Sequence, residues 1–376
     1  MQLFRCGHCG TTVFFENDTC LSCAAPLGYA PAAGRLQTFW LPGDNQAANQ
    51  ADNQADNQAG AAWPCQDGGP ALRPCANRRT VARCNWMLDA TDPAAQSLCR
   101  SCRLTQLLPA LDRPRNGRRW QRIEQAKRRL VCTLLGMGLV PEPKPGPGDA
   151  LGLAFLLLED QPGAAPVKTG HDRGSITLNV AEADDDHREA ERVRLGEPTR
   201  TLLGHLRHEA AHYLHHRWIA NTPAAEACRA AFGDERADYA QALARHYADG
   251  PPPGWAQHFI SAYASSHPWE DWAETCAHVL LVLDAVQTAS AWGLQLSGPV
   301  QAAPQSADLG HTPDLQQLVL QQWLPVAQFL NAMHRSLGRH DSYPFLMPAA
   351  VLRKMGVVQM LLMGAAAGSQ TISAQR

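Results

Sequence analysis

Five residues, His208-Glu209-Ala210-Ala211-His212, restrict this chain more than any other part of it. Side chains four apart project from one face of an α-helix, so two imidazoles at this spacing can meet on one metal ion when the segment is helical. The flanks suit a helix. Thr201-Leu202-Leu203-Gly204-His205-Leu206-Arg207 leads into the motif, and no proline stands between Thr199 and Asn221. Glu209 then points at the adjacent coordination position, where a metal-bound water would sit. Zinc draws the pKa of such a water towards about 7, and a neighbouring carboxylate can take its proton during attack on a carbonyl and pass it to the leaving amine. The motif reads as a centre for metal-assisted amide hydrolysis with Glu209 as general base. Of the other histidines in the segment, His205 shares the face of the motif and could stand behind a ligand, but it, like His215 and His216, reads first as a packing or solvated residue.

Two helical histidines need a third protein ligand, with the fourth position left open for chemistry. Two stretches compete for it. In Phe232-Gly233-Asp234-Glu235-Arg236-Ala237-Asp238, Glu235 lies 23 residues after His212. In Tyr263-Ala264-Ser265-Ser266-His267-Pro268-Trp269-Glu270-Asp271-Trp272-Ala273-Glu274, two glutamates four apart would share a helical face. This second stretch resembles the gluzincin-like peptidases related to anthrax lethal factor, whose ligand helix carries Glu-x-x-Ala-Glu; here that reads Glu270-Asp271-Trp272-Ala273-Glu274. The resemblance implies that Glu270 takes the metal, that Glu274 supports a ligand histidine, and that Tyr263 donates to the oxyanion. Glu235 and Asp238 are then left to a helix start or a supporting position behind the ligands. Each implied role is chemically sound, because a carboxylate suits the third ligand, a second carboxylate orients an imidazole, and a phenol stabilises developing negative charge.

Nine of the twelve cysteines precede residue 103. Cys6-x-x-Cys9 and Cys20-x-x-Cys23 supply four thiolates for a closed tetrahedral zinc, a structural arrangement, with His8 inside the first knuckle a weaker candidate. Cys75, Cys84, Cys99 and Cys102 could hold a second structural zinc, Cys65 being a spare for Cys75. Cys132, Cys228 and Cys276 stand alone in helical-looking sequence and read as small buried residues. The expected cofactors are one catalytic Zn²⁺ and one or two structural ones.

With 45% apolar and 18% charged residues, the composition is that of a folded protein, and a net charge of -2 points to no polyanionic partner. No uninterrupted apolar run reaches the eighteen or so residues that span a bilayer, and Met1-Gln2-Leu3-Phe4-Arg5 lacks the apolar stretch of a signal peptide, so the expected location is cytoplasmic, without a membrane partner. The expected division is a zinc ribbon at 1–40, a disordered Asn/Gln/Ala-rich linker at 41–63, a second Cys-rich zinc module at 64–110, a basic helix and connector at 111–140, and the metal-motif domain at 141–376. Within the last, Leu151 to Leu158 reads as a strand, and Gly170 to Val180 as the sheet's edge strand, where an extended peptide could pair. An acidic loop at Asp184-Asp185-Asp186 and helices over 197–218, 224–247, 254–265, 269–289, 312–337 and 349–363 follow.

The chain as a whole resembles a bacterial family of zinc-binding metallopeptidases with an N-terminal zinc ribbon. The carrying motifs are Phe4-Arg5-Cys6-Gly7-His8-Cys9, Cys99-Arg100-Ser101-Cys102-Arg103-Leu104-Thr105, the segment from Thr201 to Glu209, Gly233-Asp234-Glu235-Arg236-Ala237-Asp238-Tyr239, and His267 to Glu274. The fold class expected is α+β, a mostly helical zincin-like domain with a small sheet behind Cys-rich modules. The reading is a zinc metallopeptidase acting on a peptide or protein. The alternative is an adaptor whose ribbons and basic segment, with eight Arg or Lys between 113 and 130, bind protein or nucleic acid while the zincin scaffold is inactive.

Overall fold

The structure is a computed structural model that describes residues 3–41, 61–88, 97–146, 148–149, 151–304 and 314–374. Most of the linker expected at 41–63, from 42 to 60, lies outside the described residues. Two short antiparallel hairpins begin the chain: β1 (Phe4–Arg5) with β2 (Thr12–Val13), and β3 (Leu27–Ala30) with β4 (Arg35–Thr38). The second Cys-rich module lies on the first rather than beside it. The Tyr29 amide donates to Asn85, Met87 donates back to Tyr29, and the rings of Phe15 and Trp86 each centre 5.0 Å from that of Tyr29. Aromatic packing of this kind supplies the core that each module alone is too small to build.

Cys102 opens a single 3-10 turn that runs directly into β5 (Thr105–Leu107). This strand starts the main sheet, joined by β6 (Ala154–Leu158), β7 (Gly170–Asp172) and β8 (Ser175–Asn179) in the order β5-β6-β8-β7. The first three neighbours in that order run parallel and β7 antiparallel. Strand β6 is apolar along its whole length because both of its neighbours are strands and Ala154, Phe155 and Leu157 are buried. The segment 170–180 is not one edge strand but a hairpin, turned at Arg173 (φ +40°) and Gly174 (φ +82°), in which β7 is the strand at the edge of the sheet.

Helix α1 (Asn116–Gly136) buries Trp120, Ile123, Leu130, Val131 and Leu134 and packs on the metal-motif helix. β5 thus joins the sheet that leads to the motif, and α1 packs against the motif helix. A polar helix, α2 (Asp185–Leu195), stands where an acidic loop was expected. Asp185 and Asp186 sit favourably at its positive N-terminal end, and Arg192–Glu189 and Arg194–Glu191 pair one turn apart.

Next come α3 (Leu202–Trp218), α4 (Ala224–Phe232), α5 (Tyr239–Asp249) and α6 (Pro268–Ala291). The helix expected over 224–247 is split at Gly233, whose φ of +97° would strain any other residue and where Pro268 comes within 3.1 Å of the place of a Cβ. The one expected over 254–265 is two isolated 3-10 turns, Trp255–Gln257 and Tyr263–Ser266. α7 (Leu315–Leu318) passes through a π turn into α8 (Leu324–Ser336), and α9 (Ala349–Ala374) closes the described chain. By length and composition, residues 349–367 of α9 could cross a membrane, but Val351, Met355, Val358 and Leu362 are fully buried against the protein and Lys354 reaches into its interior. The fold is thus α+β and mostly helical, with α3 and α6 side by side at its centre.

Candidate metal centre

Helix α3 starts where Thr201 accepts the Gly204 amide on its hydroxyl at 2.9 Å, a cap that sets the phase of the two motif histidines. Helix α6 starts at His267, whose Nδ1 accepts the Trp269 amide at 3.0 Å, followed by Pro268 in the first turn. With Nδ1 an acceptor, the other ring nitrogen carries the proton, and Nε2 of His267 donates to the Ala237 carbonyl at 3.2 Å. One buried, neutral imidazole thereby joins the loop before α5 to the first turn of α6.

These two helices bring His208, His212 and Glu270 together. Nε2 of His208 lies 3.0 Å and Nε2 of His212 3.6 Å from Oε2 of Glu270. Donors bound tetrahedrally to zinc at about 2.0–2.1 Å stand roughly 3.3 Å apart, so the spacing fits zinc. Oε2 of Glu270 is buried with no hydrogen-bond partner among the described residues, which is the state of an oxygen reserved for a metal. Burial opposes the charge of Glu270, but His212 and His208 outweigh it and hold the carboxyl well below its usual range.

Around this triad, Nδ1 of His208 donates to Oε1 of Glu274 at 2.8 Å, and Ser261 donates to the other oxygen at 2.7 Å. That fixes the tautomer in which Nε2 of His208 has a free lone pair. The Trp269 ring stacks on His212 at 4.7 Å, and His171 of β7 stands on the other side at 6.2 Å. His171 accepts the Gly174 amide on Nε2, and burial, then His212, push its pKa down to about 3. Glu209 is buried. Its Oε1 lies 3.4 Å from His205 Nε2, while Oε2 has no partner among the described residues. Behind it His205 faces Glu182 at 3.5 Å, and Arg200 donates to Glu182 at 2.7 Å. Tyr263 lies over His208 with ring centres 6.1 Å apart; burial, Glu270 and Tyr239 push its pKa far up, so it remains a donor.

Glu235 stands elsewhere. Its carboxylate takes a two-pronged contact from Arg229 at 2.6 and 2.9 Å and is not among the three converging side chains. Asp238 caps α5 by accepting the Gln241 amide. Tyr239, which no spacing singled out, donates to Oε1 of Glu270 at 2.6 Å.

Both cysteine sets also come together. Sγ atoms are 3.6 Å (Cys6 to Cys23), 3.7 Å (Cys9 to Cys20) and 3.7 Å (Cys84 to Cys99) apart. Thiolates on a tetrahedral zinc at about 2.3 Å stand roughly 3.8 Å apart, so these sets fit zinc and are far too wide for disulfides. Gly10 and Ala24, at φ +72° and +58°, close the two knuckles of the first set. His8 is exposed, its ring against Trp40, and Cys65 belongs to neither set. The second set is wholly buried beside Arg128 and Glu124 of α1, with Cys102 Sγ 3.8 Å from Glu124. Several basic residues of this segment pair with acidic ones: Arg113, just before α1, with Glu159 at 2.9 Å, and on α1 Arg119 with Asp184 at 2.6 Å, Lys127 with Glu124 at 2.8 Å, and Arg129 with Glu16. Cys228 and Cys276 are buried and Cys132 partly so.

Residues 116–361 match the family described as "Putative zinc-binding metallo-peptidase", and residues 3–113 match a zinc-ribbon domain. Uncharacterized proteins of Mycobacterium tuberculosis (strain ATCC 25618 / H37Rv) and Mycobacterium bovis are each 39% identical over 363 residues, covering 96% of this chain and 95% of theirs. No solved structure matches the chain.

Proposed function

The chain belongs to the "Putative zinc-binding metallo-peptidase" family, and from that premise we propose that it hydrolyses peptide bonds at the centre formed by α3 and α6. His208, His212 and Glu270 would hold the zinc, with Glu274 orienting His208. The ion supplies Lewis acidity to a water and to the carbonyl that the water attacks. Glu209 is the general base. Its unpartnered Oε2 takes the proton of the attacking water and delivers it to the leaving amine, while His205 holds the other oxygen. Tyr263 donates its hydroxyl to the carbonyl oxygen as negative charge builds there. An extended substrate backbone has the free edge of β7 to pair with, beside His171. The two four-cysteine sets would carry structural zinc, the second bracing β5 and α1.

The observation that carries this reading is the pair of bare buried carboxylate oxygens, Oε2 of Glu270 facing two imidazole nitrogens and Oε2 of Glu209 in the same motif. The adaptor reading is weaker because several cations of the basic segment that would contact nucleic acid, Arg113, Arg119 and Lys127 among them, are paired with acidic side chains of the same fold. The test combines metal analysis with cleavage of a denatured protein mixture. Glu209→Gln should keep its zinc and lose cleavage, and Glu270→Ala, but not Glu235→Ala, should lose one zinc. Undiminished cleavage by Glu209→Gln refutes the reading.

A further inference from the structure

A carboxylate ligand has two oxygens, and a catalytic zinc needs one of its four positions left open. If both oxygens of Glu270 turned to the metal, the second would compete for that position. Oε1 is held away from it. Tyr239 donates its hydroxyl to Oε1 at 2.6 Å, and Oε2 alone faces His208 and His212. The placement of Tyr239 is built into the fold. Asp238 caps α5 and fixes its first residue, His267 ties Ala237 to the start of α6, and the Tyr239 ring sits edge-on to His267 at 5.2 Å.

We propose that Tyr239 is a positioning residue of the metal centre: it holds one oxygen of Glu270, so that the carboxylate meets the metal through the other. This rests on the peptidase reading of the centre and adds to it a residue that acts through the ligand rather than on the substrate. The hydroxyl is the only atom at issue. The ring is 40% exposed at the first position of a helix, so Tyr239→Phe keeps the packing and removes the donor alone.

The experiment uses the full chain with zinc in both four-cysteine sets. Mild chelation empties the His208 centre, which is then titrated with zinc against a competing chelator and, separately, loaded with Co²⁺ for its visible spectrum. Glu270→Ala defines the background. Tyr239→Phe is expected to bind zinc at this centre about 10- to 100-fold more weakly, the effect typical of losing a partner behind a metal ligand, and to give a weaker cobalt spectrum as a second oxygen enters the coordination sphere. Tyr263→Phe should lower kcat without either change. Zinc affinity within twofold of the parent and an unaltered cobalt spectrum in a folded Tyr239→Phe overturn the proposal, whatever happens to kcat. A parent chain that holds no more metal than Glu270→Ala overturns the peptidase reading instead.

Discussion

His278 lies one helical turn beyond Glu274 on α6, buried, with Nδ1 2.8 Å from the Tyr343 hydroxyl and the Phe345 ring edge-on at 4.4 Å. Burial outweighs the nearby Glu274 carboxylate and lowers its pKa from 6.5 to about 4. Above pH 6.5 the ring is neutral in both folded and unfolded chains. As the pH falls below 6.5, the unfolded chain gains a proton that the buried ring refuses until about pH 4, so folding stability is lost across that window. For these two pKa values the loss between pH 7 and pH 5 is about 2 kcal/mol. His278→Gln keeps an acceptor for Tyr343 and cannot titrate. Urea denaturation followed by tryptophan fluorescence, run on both proteins at pH 7 and pH 5, should show the parent losing about 2 kcal/mol more than the variant. Comparing the two proteins isolates this ring from His171 and His215, which burial also lowers, to about 3 and about 4. Equal losses would mean that the ring is charged in the folded chain, and the packing argument for this end of α6 would fall with it.

Lys354 of α9 reaches Asp271, beside Glu270, at 2.5 Å, with the carboxylate fully buried and the lysine largely so. Lys354→Met should cost about 3–5 kcal/mol in denaturant titrations by stranding that carboxylate, and adding Asp271→Asn should recover much of it. If the double variant is no more stable than Lys354→Met, the stranded charge is not the cause. Cys9→Ser, at the exposed end of the first four-cysteine set, should lose one zinc and leave metal binding at His208 unchanged. Cys102→Ser should also weaken the His208 centre, because Cys102 leads into β5 and touches Glu124 of α1. Zinc counts per chain in both variants decide this, and equal retention at the His208 centre would separate the second cysteine set from the fold of the metal domain.

What could be read from the sequence was what chain-local geometry dictates. The pair His208 and His212 needs only one helical turn, and Cys6-x-x-Cys9 or Cys20-x-x-Cys23 only one knuckle, so spacing carries the information. Helix α2 escaped because it is polar all round and has no apolar stripe, and the break at Gly233 escaped because a lone glycine in a helical pattern does not show that its φ will be positive. The choice between Glu235 and Glu270 shows the limit most clearly. Glu235 precedes α5 and Glu270 lies in the first turn of α6, and spacing left both open; the resemblance to other zinc peptidases favoured Glu270, but it did not say what sets the two carboxylates apart. That reason is in the neighbours. Arg229, six residues before Glu235 and across the break after α4, closes a fork on that carboxylate and neutralises it. Among the described residues no such cation meets Oε2 of Glu270; its neighbours are two imidazoles, and Tyr239 takes only its other oxygen. A carboxylate becomes available to a metal by what the fold withholds from it, and neither composition nor periodicity records a partner that is absent.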